Sequence, residues 1–251
     1  MKKIIPRIST RGYYDLHTGR TLKRNKFYLY PKRAFNRLAG SAEFTIMIHG
    51  LRNDSQGAVE KVVISQRRLR LLGYHYPLVG FSYDSNTTGA HLIKHAKHAL
   101  AVGKKIAIKN GRNLALFVEE FKGNSPDTKI RLMGHSLGSQ VILSAVEQLS
   151  KKQQNRGIIE SVHFFGASIT CDVPSCITYR KIFDHTIAKK ITNYYSPSDD
   201  VLYQADSAGL VKCPLGLNGA TGKTSTKYCD VMVVPKNHRF ASYAEMLESF
   251  P

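Results

Sequence analysis

Five residues constrain this chain more than any other feature. Gly134-His135-Ser136-Leu137-Gly138 follows directly on the apolar run Lys129-Ile130-Arg131-Leu132-Met133 and leads directly into an amphipathic stretch over 138–152. A serine with glycines two before and two after, set between a strand and a helix, belongs to a sharp turn that lifts its hydroxyl above the strand ends. The glycines are needed because strand and helix close on each other there, and a Cβ would hold them apart. The helix points its positive N-terminal end at the serine, where it favours developing negative charge. Such a turn needs surroundings: a buried strand on either side and helices over both faces.

The rest of the chain supplies them. Phe44-Thr45-Ile46-Met47-Ile48 is a continuous apolar run rich in β-branched residues, bounded by His49-Gly50, as a strand buried on both faces requires. Pro77–Tyr83, Ser161–Phe165, Lys190–Tyr195 and Asp230–Val234 read as further strands. Helical spacing predicts helices over 57–72, 89–122 (with Gly103 and Gly111 as kinks), 138–152 and 242–250. The alternation implies a mostly parallel, doubly wound central sheet in a three-layer α/β/α sandwich. Before it, residues 12–30 read as a small hairpin turning at His17-Thr18-Gly19-Arg20, with a short strand over Phe27–Tyr30 and a linker to about Ser41.

A serine hydroxyl is a weak nucleophile and needs a base, which in turn needs an orienting acid. In this architecture the acid follows a later strand and the histidine comes last. Ser196-Pro197-Ser198-Asp199-Asp200-Val201-Leu202 follows the strand Lys190–Tyr195, and Pro235-Lys236-Asn237-His238 follows the last strand. Ser136, then Asp199 or Asp200, then His238 is therefore the expected relay. His163 lies inside a strand and His185 precedes the acid strand, so both fit worse. The amide of Leu137 is the expected first donor to an oxyanion. The second is the amide of Leu51, in the loop His49-Gly50-Leu51-Arg52 after the first buried strand, where Gly50 lets the backbone turn inward and His49 supports the loop.

On these residues the chain resembles the α/β-hydrolase superfamily. It is similar to a group of poorly characterised microbial hydrolases marked by a His-Gly-Leu loop (His49-Gly50-Leu51), a strand Val79-Gly80-Phe81-Ser82-Tyr83 and Gly134–Gly138. The segment Asn193–Leu202 resembles that group's acid loop, and aligning Val201-Leu202 puts the acid at Asp199, with Asp200 in a variable slot. His238, followed by Tyr243, resembles the terminal histidine. The resemblance covers about residues 43–250 and implies a hydrolase domain over 42–251, with residues 1–41 as a basic N-terminal arm outside it. It implies a serine hydrolase of the esterase or lipase kind, acting on carboxylic esters through an acyl-enzyme and needing no cofactor or metal. No insertion long enough for a large lid is present. Acyl transfer at the same site, or an inert scaffold that binds through its basic arm, remain alternatives.

Charge bears on that last alternative. The chain carries 37 Lys and Arg against 18 Asp and Glu, a net charge of +19. Residues 1–37 hold eleven of the cations and one acid, Asp15. Such an arm attracts phosphate on nucleic acid or on an anionic membrane. Tyr13, Tyr14, Phe27, Tyr28, Tyr30 and Phe35 are interleaved as base-stacking residues would be, or as residues packed on the domain would be. No apolar run reaches the ~18–20 residues of a membrane helix, so a membrane-spanning protein is excluded. Met1–Arg7 lacks the apolar core of an export signal, so a cytoplasmic protein with reduced thiols is expected. Cys171, Cys176, Cys213 and Cys229 show no zinc spacing; bridges 171–176 or 213–229 are the pairings weighed. His91, His95 and His98 share one helix face, and with no carboxylate near them a polar face is expected rather than a metal site.

Overall fold

The computed structural model describes residues 4–24, 26–90 and 92–251. Eight strands form one sheet: β1 (Arg7–Ser9), β2 (Tyr28–Tyr30), β3 (Glu43–Ile48), β4 (Leu78–Ser82), β5 (Lys129–His135), β6 (Ile159–Phe165), β7 (Ile187–Tyr195) and β8 (Tyr228–Met232). Their spatial order is β2-β1-β4-β3-β5-β6-β7-β8. Among the described residues, the edge pair β1–β2 is the one antiparallel pairing of these strands. The helices are α1 (Lys32–Leu38), α2 (Ser55–Leu71), α3 (Ala96–Asn124), α4 (Gly138–Leu149), α5 (Ile177–Thr186), α6 (Asp200–Ser207), α7 (Leu215–Asn218) and α8 (Phe240–Glu245).

Strand alternation explains the three layers. Phe44, Ile46 and Ile48 of β3, Ile130 and Leu132 of β5, and Val162 and Phe164 of β6 join one core with residues of α3, α4 and α5. Met47, Met133 and Phe165, one residue out of phase, join a second core with Val62 and Leu69 of α2 and Phe240 and Tyr243 of α8. A parallel sheet covered on both faces has no polar side, which is why its strands read as continuous apolar runs. One exception is filled internally. Arg131 of β5 makes two hydrogen bonds to Glu43 of β3 (Nε–Oε1 3.0 Å, Nη2–Oε2 2.9 Å) and one to Ser161 Oγ (3.0 Å), so this buried charge is paired.

After β3 the chain steps to β4 on one side, then through α3 to β5 on the other. The strand order thus reverses between β3 and β5, and the crevice outside their carboxyl ends is where such sheets hold ligands. Ser136 leaves β5 at that end and His49-Gly50-Leu51 leaves β3 beside it.

Several sequence expectations are corrected. Residues before position 41 take part in the same sheet as those after it. β1 pairs in parallel with β4, Ile8 is fully buried, and Asp84 accepts the backbone N–H of Gly12, Tyr13 and Tyr14 (3.0, 3.0 and 3.1 Å). Tyr13, Tyr14 and Phe35 are buried in the core, so they cannot stack on bases. The hairpin turn is present, with a bridge from Tyr14 to Thr21 and Gly19 at φ +69°. The expected linker contains α1, and α5 and α6, ten and eight residues long, lie where no helix was expected. The long helix starts at Ala96 rather than 89, the last strand is Tyr228–Met232 rather than Asp230–Val234, and the closing helix is Phe240–Glu245 rather than 242–250. Gly103 and Gly111 lie inside one continuous helix. Met1–Lys3, and His91 of the histidine stripe, lie outside the described residues. No described helix is long and apolar enough to cross a membrane.

Candidate active site

Ser136 stands between β5 and α4 with φ +52°, the left-handed region that an L-residue enters at a cost of ~1–2 kcal/mol. Tertiary contacts hold it there. Its N–H donates to Phe165 O (3.0 Å), and its carbonyl accepts from Ser139 N–H (3.0 Å) and Ser139 Oγ–H (2.6 Å). A Cβ on Gly138 would stand 2.4 Å from Ile48 O, and one on Gly50 would stand 2.8 Å from Ser136 Cβ. Gly134 meets Ile142 of α4 in the same way. The N-terminus of α4, capped by Leu137, has no side-chain cap and no acid in its first turn; Ser139 and Gln140 N–H bond back to the carbonyls of Ser136 and Leu137 (3.0 and 3.1 Å).

Three separate strand ends bring a relay together. His238 Nδ1 lies 2.6 Å from Asp199 Oδ2, and His238 Nε2 lies 2.9 Å from Ser136 Oγ. An ionised carboxylate only accepts, so Nδ1 carries the proton and donates to Asp199. Nε2 is then free to accept from the Ser136 hydroxyl. The His238 side chain is 14% exposed and that of Asp199 is fully buried, so the relay is open at the serine end and dry at the acid end. Asp199 is the N-cap of α6, its Oδ1 accepting Leu202 N–H (3.1 Å), while Oδ2 also accepts Tyr243 O–H (2.6 Å). Burial pushes its carboxyl up. The hydrogen bond and charge of His238, with the Tyr243 and Leu202 hydrogen bonds, outweigh burial and hold it below the ordinary 3.8. Asp200, one residue on, is exposed in the first turn of α6 and does not reach His238.

The neighbouring histidines are neutral supports. Nε2–H of His135 donates to the backbone oxygen of His238 (2.8 Å), holding the loop that carries His238. Burial, then His238 nearby, lowers His135 to about 3. His49 stacks on Tyr83, with ring centroids 4.5 Å apart. Burial, then Arg11, lowers it to about 3. The amides of Leu51 and Leu137 make no hydrogen bond to another described residue. Their side chains pack on α3, where a Cβ on Gly103 would meet Leu51 Cδ1 at 2.6 Å and Leu137 Cδ2 at 3.1 Å. Gly103 is therefore space for the loop rather than a kink.

Sequence reasoning missed three supporting groups. Asn53 Nδ2 donates to Gly50 O (3.1 Å) and Leu51 O (2.8 Å), a local pattern visible three residues past Gly50. The contact of Tyr243 with Asp199 and that of Arg11 with the 49–54 loop span too much sequence to be read locally. The thiol expectation is also corrected. Cys171 is bonded to Cys213 rather than to Cys176, while Cys176 and Cys229 are free and exposed. That bond, with Gly216 N–H to Ala167 O (2.8 Å) and Ser196 N–H to Gly216 O (2.9 Å), ties the loop after β6 to the segment after α6 and to the start of the acid loop. Among the described residues no group of three or more His, Cys, Asp or Glu could hold a metal ion. His98 instead bonds to the backbone oxygen of His17 through Nε2 (2.8 Å).

Comparison with known proteins identifies the family. The family model described as "alpha/beta hydrolase of unknown function (DUF900)" matches residues 36–209. A rice protein (Oryza sativa subsp. japonica) named transmembrane and coiled-coil domain-containing protein STS1 is 28% identical over 135 residues, covering 53% of this chain and 19% of that protein. The chain thus spans about a fifth of the curated relative's length. Among solved structures, an α/β serine hydrolase without a lid from Xanthomonas campestris superposes with a TM-score of 0.41 at 15% identity, covering 81% of this chain and 76% of that one. A lipase–esterase related protein from Clostridium acetobutylicum gives 0.42 at 12% identity, covering 83% and 91%.

Proposed function

The chain belongs to the alpha/beta hydrolases of unknown function (DUF900), and from that premise we propose that it hydrolyses carboxylic esters with Ser136 as nucleophile. One observation carries the reading: an unbroken side-chain relay from Asp199 through His238 to Ser136, at 2.6 and 2.9 Å. In the first half-reaction His238 Nε2 takes the hydroxyl proton as Ser136 Oγ attacks the ester carbon. Asp199, accepting from Nδ1–H, stabilises the imidazolium. The carbonyl oxygen becomes an oxyanion held by the amides of Leu51 and Leu137. The tetrahedral adduct collapses as His238 returns the proton to the leaving alcohol, and the acyl group stays on Ser136. Water then attacks with His238 again as base, releasing the acid and restoring the hydroxyl. The balance needs only ester and water, so no cofactor enters.

Charge supports a narrower substrate class, esters that carry or adjoin negative charge. No Asp or Glu stands between Asp84 and Glu119. Lys97, Lys104, Lys105 and Arg112 share one exposed face of α3. Lys105 and Lys109 bond to the backbone of Thr18 and Gly19 (3.3 and 2.9 Å), which joins the basic hairpin to that helix. The opposite side of α3 receives Leu51 and Leu137. The basic face is thus turned away from Leu51 and Leu137, one helix from the crevice, and acts on a charged substrate through its field rather than by contact.

The test of the reaction is labelling with a fluorophosphonate, followed by peptide mass spectrometry, on the wild type and Ser136→Ala. One adduct on Ser136, absent in the variant, is expected; a folded wild type that takes no label refutes the reading. For the substrate class, kcat/KM on an anionic ester is expected to fall steeply with added salt while that on a neutral ester of equal size does not. Equal salt dependence refutes the charge argument.

A further inference from the structure

Arg11 comes from the segment before the family match, yet its guanidinium is spent on the loop beside Ser136. Nε donates to Ser82 Oγ at the end of β4 (2.8 Å), Nη1 to Asn53 O (3.0 Å) and Nη2 to Asp54 O (2.7 Å). Nη2 also lies 3.2 Å from His49 Nε2. The backbone just after Arg11 is held in turn by Asp84, which accepts three consecutive amides from Gly12 to Tyr14.

The tautomer of His49 follows from these donors. Its Nε2 faces both Arg11 Nη2–H and the Tyr83 amide N–H (3.3 Å), groups that only donate, so Nε2 carries no proton. Nδ1 then carries it and donates to Gly50 O (3.0 Å). The same oxygen accepts from Asn53 Nδ2 (3.1 Å). The carbonyl of Gly50 and the N–H of Leu51 belong to one planar trans peptide and point in opposite directions. Two donors drawing the carbonyl one way therefore aim the Leu51 N–H the other way. Gly50 stands against Ser136, and that N–H has no partner within the described residues.

We propose that Arg11 is a positioning residue for the oxyanion donor: through the His49 tautomer and the carbonyls of Asn53 and Asp54 it locks the Gly50–Leu51 peptide with its N–H toward the reacting carbonyl oxygen. This rests on the serine-hydrolase reading above. It makes the N-terminal segment part of the catalytic apparatus rather than an appendage. Without the guanidinium, only the longer Tyr83 N–H contact (3.3 Å) holds the His49 tautomer and the carbonyls of Asn53 and Asp54 lose the fork that fixes them, so the Gly50–Leu51 peptide is held less firmly.

The test uses the full chain, with active sites counted by fluorophosphonate titration so that unfolded molecules do not enter kcat. Arg11→Met is expected to lower kcat per titrated site by roughly 10- to 100-fold, within the range for weakening one oxyanion donor, while KM moves less than about threefold. Arg11→Lys keeps the charge but not the fork, and is expected to fall between Arg11→Met and wild type. Free guanidinium ion is expected to restore part of the turnover of Arg11→Ala and none of that of Asn53→Ala, which loses the second donor to Gly50 O directly. A merely structural Arg11 would lower the number of titratable sites and leave kcat per site unchanged. That result, in Arg11→Met or, where it does not fold, in Arg11→Lys, overturns the proposal. A wild type that is folded but neither labels nor turns over overturns the serine-hydrolase reading instead.

Discussion

Acidification from pH 7 to pH 5 is expected to strip this protein of much of its stability, through three histidines that have no room for a proton. His49, His135 and His163 are buried, and burial lowers each from the ordinary 6.5 to about 3. Arg11 adds to that lowering at His49, and Lys190 and Arg131 add to it at His163. In the unfolded chain each binds a proton near pH 6.5, so below that value the unfolded state holds more protons than the folded one, and stability falls with falling pH. The loss runs from about 6.5 down to about 3 and is absent above neutrality. At pH 5 each histidine has forfeited about 2 kcal/mol, from 1.36 kcal/mol per pH unit over the part of the window crossed. Together that is about 6 kcal/mol, against the 5–15 kcal/mol that holds a typical domain. The lowered carboxyl of Asp199 is silent in this range, because its contribution is lost only as pH falls below the ordinary 3.8. With no tryptophan in the chain, far-UV circular dichroism is the natural probe. Urea titrations at pH 7, 6 and 5 and constant ionic strength give the unfolding free energy at each. His163 lies away from the serine, pairing with Ser161 Oγ (3.0 Å) and packing on Phe250, so His163→Met is expected to recover about 2 kcal/mol of the acid loss. Unfolding free energies at pH 7 and 5 within about 1 kcal/mol of each other, or an unchanged slope in His163→Met, would refute the reasoning.

Three further perturbations separate strain, packing and cross-linking. Ser136→Gly is expected to be more stable than Ser136→Ala by about 1 kcal/mol in thermal unfolding, because φ +52° favours glycine, and both are expected to take no fluorophosphonate label. Gly138→Ala sets a methyl 2.4 Å from Ile48 O, a backbone atom that cannot swing away; a loss of about 1–3 kcal/mol in urea unfolding and of labelling at Ser136 is expected. Replacing Cys171 and Cys213 together by serine opens a link across 42 residues and is expected to cost about 4 kcal/mol by chain entropy, read as a lower urea midpoint in the oxidised but not the reduced proteins.

The doubly wound sheet and the turn at Ser136 were legible because their causes are local. β3, β5 and β6 are buried on both faces, with polar exceptions such as Arg131, Ser161 and His163, and a doubly covered sheet buries both. Gly134 and Gly138 mark where a strand and its own helix meet within five residues. The order of Ser136, the acid and His238 along the chain follows from strand ends that the same pattern locates. β1 was not legible: Arg7-Ile8-Ser9 has one apolar residue and becomes a strand only because β4 offers an unpaired edge.

What only the tertiary structure decided are pairings between distant residues. Asp199 faces His238 and Asp200 does not because Asp199 is the N-cap of α6, turning its carboxylate in toward Leu202 N–H, His238 and Tyr243. Cys171 meets Cys213 because two loops with no regular pattern cross beside β6 and β7. Arg11 looks like one more cation in a basic arm, and becomes the support of the 49–54 loop because β1 lies beside β4. Periodicity and turn chemistry act over a few residues and so are written along the chain. A hydrogen bond across forty or a hundred residues exists only once the sheet has brought its ends together.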